Sequence, residues 1–248
     1  MRHFFISILI FIIVKNINAQ ETVAPQNQAA DTIPRNNEIS LVLSDMLDGS
    51  LQFRYERKTS ENMTVGLGAS FKSKLGMVSF KPIDNEKLQL SGLQYSGLKI
   101  VPDVRYYLEK TRRYDMDGFY FGGYLRYSHY GSNLYGTYIS DQHQHYGIDM
   151  DIKMNIITVG LMVGYKLALS ENFNIDFIFA GPGEAFHMYA IENRLVLPND
   201  FYDDLNEVLQ DYSLFDFINS DFRFKLNSAK TNFFTSSFRY GITVGYTF

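Results

Sequence analysis

Residues 235–248, TSSFRYGITVGYTF, decide the fold. From residue 238 onward the even positions are large and apolar, and the odd positions are mostly small or polar. The even positions are Phe238, Tyr240, Ile242, Val244, Tyr246 and Phe248, and the odd ones are Arg239, Gly241, Thr243, Gly245 and Thr247. A period of two predicts a β-strand with one apolar and one polar face. A polar face made mostly of Gly and Thr favours a transmembrane barrel strand, apolar toward lipid and polar toward the lumen.

The chain ends on the aromatic residue Phe248 directly after this alternation. An aromatic terminus of this kind resembles the C-terminal assembly signal of outer-membrane proteins. We therefore expect a set of alternate residues to face lipid and to form that signal: Tyr240, Ile242, Val244, Tyr246 and Phe248. The partners that follow from this prediction are outer-membrane lipid and the barrel assembly machinery.

The N-terminus has the layout of a secretory signal peptide: basic residues, then an apolar run at residues 4–14, then Ala19. The run is too short to cross a bilayer as a helix, which needs roughly twenty apolar residues. We predict a signal peptide at 1–19, a flexible periplasmic leader at 20–37 and a barrel at 38–248. An uncleaved anchor is the alternative, because Ile17 stands where a cleavage site prefers a small residue.

Composition excludes several classes of protein. The chain has no Cys, which excludes both a lipoprotein anchor on cysteine and a disulfide framework. Removing Arg2 and Lys15 with residues 1–19 lowers the 23 basic side chains to 21, against 27 acidic ones, a net charge of −6. We therefore expect no nucleic-acid partner. No second apolar run approaches twenty residues, which excludes a helical membrane protein.

Period-two alternation predicts eight strands. We place them at about 38–44, 51–57, 63–71, 97–108, 119–130 and 155–169, with a seventh from 174 and the last ending at 248. Starting from a periplasmic N-terminus, connections on that side are about five, ten and four residues long, and three on the other side are about 25, 22 and 44. This asymmetry predicts an all-β fold, an eight-stranded antiparallel transmembrane barrel of a Gram-negative cell outer membrane. Its long extracellular loops would lie at 72–96, 131–152 and 190–232.

Four segments carry a family resemblance: SLVLSDMLDGSLQFRYER, MTVGLGASF, FIFAGPGEAF and the terminal YGITVGYTF. They resemble the small eight-stranded outer-membrane barrels of an uncharacterised family, related in architecture to OmpA- and OmpX-type barrels. The resemblance covers about residues 38–190 and 233–248. It implies a fold and an outer-membrane location, and it provides no catalytic residues.

The strand alternation sends a set of charged side chains into the barrel. They are Arg54, Glu56, Lys99, Asp103, Arg105, Arg126, Lys166, Asp176 and Arg239, with Glu184 added if the alternation survives Pro182. The interior of an eight-stranded barrel is only wide enough for its own side chains, and buried charges need partners. We expect a plug of salt bridges, with an ion path or proton relay as the alternative. The excess of basic residues leaves charge for water or an anion to satisfy.

Two local patterns are candidates for chemical sites. Ser128 and His129 are adjacent, and successive strand residues point to opposite faces, so we predict no catalytic pair. His143 and His145 could bind a metal with an acidic neighbour, Asp141, Asp149 or Asp151. Because histidines in a polar loop are more often solvated, we predict no metal set, and no cofactor.

The last insertion contains apolar residues at helical spacing: Phe201, Leu205, Val208, Leu209 and Tyr212. Pro198 and Asn199 precede them, and the opposite face is acidic, which predicts an amphipathic helix over residues 200–216. A helix lying on a membrane surface would be basic. We expect the apolar face to cap the barrel mouth, with docking on a partner protein as the alternative.

Together these patterns predict a non-enzymatic outer-membrane barrel with a structural or protein-interaction role, as a candidate subunit of a larger outer-membrane assembly. The alternatives are a lipid-modifying enzyme at the edge of the barrel and a narrow channel. A Ser/His/acid group at one mouth would favour the enzyme. An open lumen would favour the channel.

Overall fold

The computed structural model describes residues 35–74, 83–84, 86–91, 94–111, 114, 116–198, 200–205 and 230–248. Its strands are β1 Asn37–Val42, β2 Ser50–Lys58, β3 Met63–Lys72, β4 Ile83–Asp84, β5 Leu88–Leu90, β6 Gln94–Tyr107, β7 Gly118–Ile139, β8 His145–Ala168, β9 Phe173–Asn193 and β10 Lys230–Thr247. Eight of them form a closed antiparallel ring in the order β1, β2, β3, β6, β7, β8, β9, β10, and β10 pairs back onto β1. The predicted eight-stranded antiparallel barrel is confirmed.

Short elements complete the described fold. Ser44–Asp48 and Glu109–Thr111 are 3₁₀ turns, and residues 200–205 form an α-helix. None of the described helices is long and apolar enough to span a membrane. The predicted signal peptide and residues 20–34 of the predicted leader lie outside the described residues, and β1 begins at Asn37, one residue before the predicted barrel boundary.

Two predicted loops are largely strand. β7 continues to Ile139 and β8 begins at His145, so the predicted loop at 131–152 is a tall hairpin joined by residues 140–144. The predicted loop at 72–96 contains a β4–β5 hairpin that pairs with β7. Polar side chains on one strand face give both segments the composition of loops. In residues 131–152 the alternation nevertheless continues.

Along β8 the distribution of apolar residues inverts while the alternation stays unbroken. Inward positions in the first half are apolar and buried: Ile148, Met150, Ile152, Met154 and Ile156. Outward positions in the second half are apolar and exposed: Ile157, Val159, Leu161 and Leu167. The inward side chains there include Thr158 and Lys166. We call the described residues of 83–91, 129–156, 185–205 and 230–235 the extension, and the rest of the ring the belt.

The extension has its own hydrophobic core. Strand residues such as Leu88, Tyr138, Met150 and Tyr189 form it together with Phe201 and Leu205 of the helix, and both helix residues are fully buried. The Phe201 ring meets the Tyr138 ring edge-on at 5.3 Å between centroids. The described part of the predicted helix is residues 200–205, and residues 206–216 lie outside the described part of the chain. The predicted insertion at 190–232 begins later, because β9 runs to residue 193.

A β-bulge in β9 changes which residues face the lumen. The pairing of β9 with β8 and with β10 shifts by one residue between Ile178 and Gly181, which adds one residue to β9. A bulge of one residue inverts the alternation beyond it. Asp176 therefore points inward, while Glu184 is exposed on the outer surface. The alternation does not survive Pro182, and Glu184 is not a lumen residue.

Candidate functional site in the barrel interior

Glu56 is the centre of a buried network inside the belt. Its Oε2 accepts hydrogen bonds from Arg54 Nη1 at 2.5 Å and from Lys166 Nζ at 2.7 Å. Its Oε1 accepts from Thr64 Oγ1 at 2.5 Å and from the Tyr107 hydroxyl at 2.9 Å. The Glu56 side chain is 0% exposed, so four donors replace the water that a carboxylate would otherwise bind.

The two arginines of the network both contact the Asp103 carboxylate. Arg54 donates two hydrogen bonds to Asp103, at 2.8 and 2.6 Å, in the bidentate geometry that suits a guanidinium. Arg105 donates from Nε to Asp103 at 3.2 Å and from Nη1 to Asp176 at 2.7 Å. Tyr120 donates to the other oxygen of Asp176 at 2.7 Å, and the Arg105 guanidinium lies 4.5 Å from the centre of the Tyr120 ring. Arg54 is thus held by two carboxylates and Arg105 by three, because Arg105 Nη1 also lies 3.5 Å from Glu56 Oε2.

Lys166 ties the network to the first strand. Its Nζ donates to Glu38 Oε2 at 2.7 Å, and Asn174 Nδ2 donates to the same oxygen at 2.9 Å. We call the seven ionised residues of this network the plug: Glu38, Arg54, Glu56, Asp103, Arg105, Lys166 and Asp176. Three bases and four acids give it a formal charge of −1. Glycine makes room for it, because a Cβ at Gly66 would collide with the Arg54 guanidinium.

A second group of charges lies toward the extension. The 3₁₀ turn Ser44–Asp48 carries Asp45, which accepts a hydrogen bond from Lys99 at 2.5 Å. Lys72 donates to the backbone carbonyl of Asp48 and lies 4.3 Å from the centre of the Tyr95 ring. The turn thus places carboxylate and carbonyl oxygens beside the two inward lysines of this part of the lumen.

Arg126 and Arg239 are inside the barrel and are not part of the plug. Arg126 donates to the hydroxyls of Thr158, at 3.3 Å, and Ser237, at 3.1 Å. The Arg239 guanidinium lies 5.1 Å from the centre of the Tyr124 ring. Six of the nine charged residues predicted to share the lumen are therefore brought together in the plug, and Lys99, Arg126 and Arg239 lie apart from it.

The sequence reasoning missed three inward charges. Glu38 is next to the outward Ile39 on β1 and therefore points to the other face, so the alternation itself could have identified it. Lys72 likewise follows the inward Ser70 by two residues on β3. Asp45 had no such pattern, because it reaches the lumen through a turn that folds back against β2 and β10.

Ser128 and His129 point to opposite faces of β7. Ser128 is fully buried in the lumen, and exposed His129 places Nδ1 2.8 Å from Asn155 Oδ1. They do not meet, as the alternation predicts.

The acidic neighbours of His143 and His145 have cationic partners. Asp141 lies 2.8 Å from Lys87 Nζ, and the two form hydrogen bonds that lower the pKa of Asp141 and raise that of Lys87. Arg194 lies 2.8 Å from Asp151 and 3.7 Å from Asp149. Within the described part of the chain, no three His, Cys, Asp or Glu side chains are placed to hold a metal ion.

The helix is fastened to the extension through Asp204. Lys87 Nζ donates to Asp204 at 3.1 Å, and the Tyr138 hydroxyl donates to it at 2.7 Å. Burial, followed by the hydrogen bond to Asp204, raises the pKa of Tyr138. The predicted helix residues Val208, Leu209 and Tyr212 lie outside the described residues.

The residues of the predicted assembly signal form one outward row on β10. Ile242, Val244, Tyr246 and Phe248 are exposed, and Tyr240 is half-buried on the same face. The intervening inward positions, including Arg239 and Thr243, are buried. This row continues the exposed apolar surface of the belt.

The fold and the site define a closed barrel with an ionised interior and an apolar outer belt. The chain belongs to the family described as "Protein of unknown function (DUF3575)", which matches residues 6–193. No curated protein matches it. Among solved structures it is similar to the crystal structure of Acinetobacter baumannii CarO, with 11% identity, a TM-score of 0.40, and coverage of 88% of this chain and 100% of that one. A similarity at this level says nothing about what the present chain does.

Proposed function

We propose that this chain is an outer-membrane barrel. The apolar side chains of the belt point outward on every strand of the ring, as at Phe53, Leu67, Ile100, Leu125, Leu161, Phe179 and Ile242. An exposed apolar surface that surrounds a molecule is unfavourable in water and favourable in lipid. The inversion along β8 supports this placement. Its apolar residues point inward in the extension, where water would surround the sheet, and outward in the belt, where lipid would surround it.

We further propose that the barrel is closed to solutes. The observation that carries this proposal is the plug, in which every ionised member is buried and paired with an opposite charge. Eight strands leave room for side chains and little else. A solute would have to break several buried ion pairs to pass.

With the lumen filled, we place the function on the outer surface of the extension, in a non-enzymatic structural or protein-interaction role. The extension has a separate core, so it holds its shape beyond the belt. Its outer surface includes Tyr135 and Val196, the latter 91% exposed. Large exposed apolar side chains of this kind are what a protein partner covers. A fixed partner in a larger outer-membrane assembly is the interaction that this surface would serve.

Affinity purification of tagged protein from outer membranes tests this role. A fixed partner should co-purify with the unaltered chain and be lost with a Tyr135→Asp, Val196→Asp double variant. The matched control is Leu169→Asp, which changes an exposed apolar residue in the turn at the opposite end of the barrel. Heat-modifiable gel migration verifies that each variant is folded. If no fixed partner co-purifies, or the double variant retains it, the interaction role is wrong.

A further inference from the structure

A small cavity lies inside the barrel beside the plug. On β2 its wall includes Gln52, two residues from the plug residue Arg54 in the direction of the extension. The charged residues of its lining are Asp45, Lys99, Arg126 and Arg239. The space is about that of one water molecule. Any occupant is therefore small.

Two of the lining side chains have buried hydrogen-bond donors without acceptors. Arg239 is 8% exposed, and its side chain forms no hydrogen bond or ion pair with the described residues. Its Nη1 and the Nε2 of Gln52 are both fully buried and lack a partner there. A buried donor without an acceptor is rare in folded proteins and destabilises them, above all on a charged group. Both groups require the same kind of ligand, one that accepts hydrogen bonds.

The charge of the residues that line the cavity distinguishes between two possible hydrogen-bond acceptors, a water molecule and an anion. Three bases, Lys99, Arg126 and Arg239, face the cavity with one acid, Asp45, so the formal charge of the lining is +2. A water molecule would accept the hydrogen bonds and leave the charge as it is. An anion supplies both the acceptor and the opposite charge that a buried guanidinium needs.

We propose that this cavity binds one small monovalent anion of the chloride class. The Arg239 guanidinium and the Gln52 amide donate to it, and Lys99 and Arg126 add to the positive potential. Sulfate and phosphate are excluded by size. The anion completes the interior of the barrel on the side of the plug that faces the extension.

The first test compares heat-modifiable gel migration of the folded protein in detergent at matched concentrations of sodium chloride, sodium bromide and sodium gluconate. The halides should raise the midpoint temperature of the folded band by several degrees in a saturable manner. Arg239→Met should abolish that rise, and in gluconate it should be at least as stable as the unaltered chain, because it removes a buried charge without a partner. The control Arg194→Met, on the surface of the extension, should keep the rise. Equal halide dependence in Arg239→Met and the unaltered chain would overturn the proposal.

The second test does not depend on a variant. Crystals of the unaltered protein grown or soaked in bromide should show an anomalous scattering peak in contact with Arg239 and Gln52. Electron density there without an anomalous signal would mean that water fills the cavity, and the proposal would be wrong.

Discussion

At the scale of single residues, the plug is stable only as a complete set. Removing a carboxylate from water is costly, and the cost is repaid when every lone pair meets a donor. Glu56 meets four donors, two of them cationic. A change that keeps its shape and removes its charge leaves Arg54 and Lys166 buried with one fewer counter-charge.

Glu56→Gln should therefore destabilise the folded barrel by about 3–5 kcal/mol, the usual cost of breaking a buried ion pair from one side. Urea unfolding in lipid vesicles measures this free energy. The control is Glu109→Gln, which makes the same chemical change in the exposed Glu109–Thr111 turn and should stay within about 0.5 kcal/mol of the unaltered chain. Equal stability of the two variants would contradict the role of the plug.

The alternation of the sequence predicts the inward charges wherever the ladder is regular. It identifies Arg54 and Arg105, because both lie on strands without a bulge before them. It leaves Glu184 open, because Pro182 marks a possible break in the alternation and does not reveal that the strand gains one residue there. It cannot reveal the partner of Lys99, because Asp45 reaches the lumen through the tertiary fold of a turn.

At the scale of elements, the strands serve two environments. β8 is apolar outside between residues 157 and 167 and apolar inside between 148 and 156. Its pattern in the sequence is continuous, yet the predicted strand begins only at residue 155, near the point where the polar side chains change faces. The predicted boundary is wrong for a physical reason. Which face of the strand carries polar side chains depends on what surrounds the sheet, whereas the strand continues wherever it pairs with β7 and β9.

A lysine in the belt tests where lipid begins. Ile242→Lys, midway along the exposed apolar row of β10, should cost roughly 2–4 kcal/mol if that row lies in a membrane. The control Asn232→Lys lies on the same strand outside the belt, is exposed, and should change stability by less than about 0.5 kcal/mol. Unfolding in vesicles gives both values. Similar costs at both positions would rule out the boundary drawn here.

The helix at residues 200–205 should come loose when its buried face is made polar. Leu205 is fully buried in the extension, and burying such a side chain contributes roughly 1.5–3 kcal/mol. Leu205→Asp should open residues 200–205 to protease while the ring keeps its heat-modifiable band. The control Asp203→Asn, on the exposed face of the helix, should leave the protease pattern unchanged. Cleavage in this segment of the unaltered chain would show that the helix is not packed.

The contacts of Lys87 predict a pH window for the extension. Lys87 bridges Asp141 and Asp204, which raises its own pKa and lowers that of Asp141. A carboxyl group whose pKa is lowered by folding stabilises the folded state at pH values above its unfolded pKa, near 3.9. That stabilisation is lost as the pH falls through its folded pKa. A lysine whose pKa is raised by folding stabilises the folded state at pH values below its unfolded pKa, near 10.4. That stabilisation is lost as the pH rises through its folded pKa.

Lys87→Met should accordingly weaken hydrogen-exchange protection of the Leu88–Leu90 amides at pH 7. The difference from the unaltered chain should shrink as the pH falls below about 4. Lys110→Met, in the Glu109–Thr111 turn at the other end of the barrel, is the control and should change none of these amides. A difference that persists unchanged below that pH would assign the effect to something other than the bridge.

At the scale of the whole molecule, the ring, the plug and the extension support one account. The sequence establishes the ring, because eight alternating strands are visible in it. The extension is a product of pairing between distant segments, such as β5 with β7, and no local pattern predicts that. The result is a barrel with a filled interior and a separate packed core outside the belt.

Conductance of the folded protein in a planar lipid bilayer tests the central claim, that the interior is closed, most directly. We expect the unaltered chain to insert and to show no steady, defined conductance, because the buried ion pairs of the plug block the lumen. Insertion is verified in parallel by protease protection in vesicles of the same lipid. A reproducible open channel in the unaltered chain, with a conductance that changes on replacing Arg105 by Met, would contradict the account.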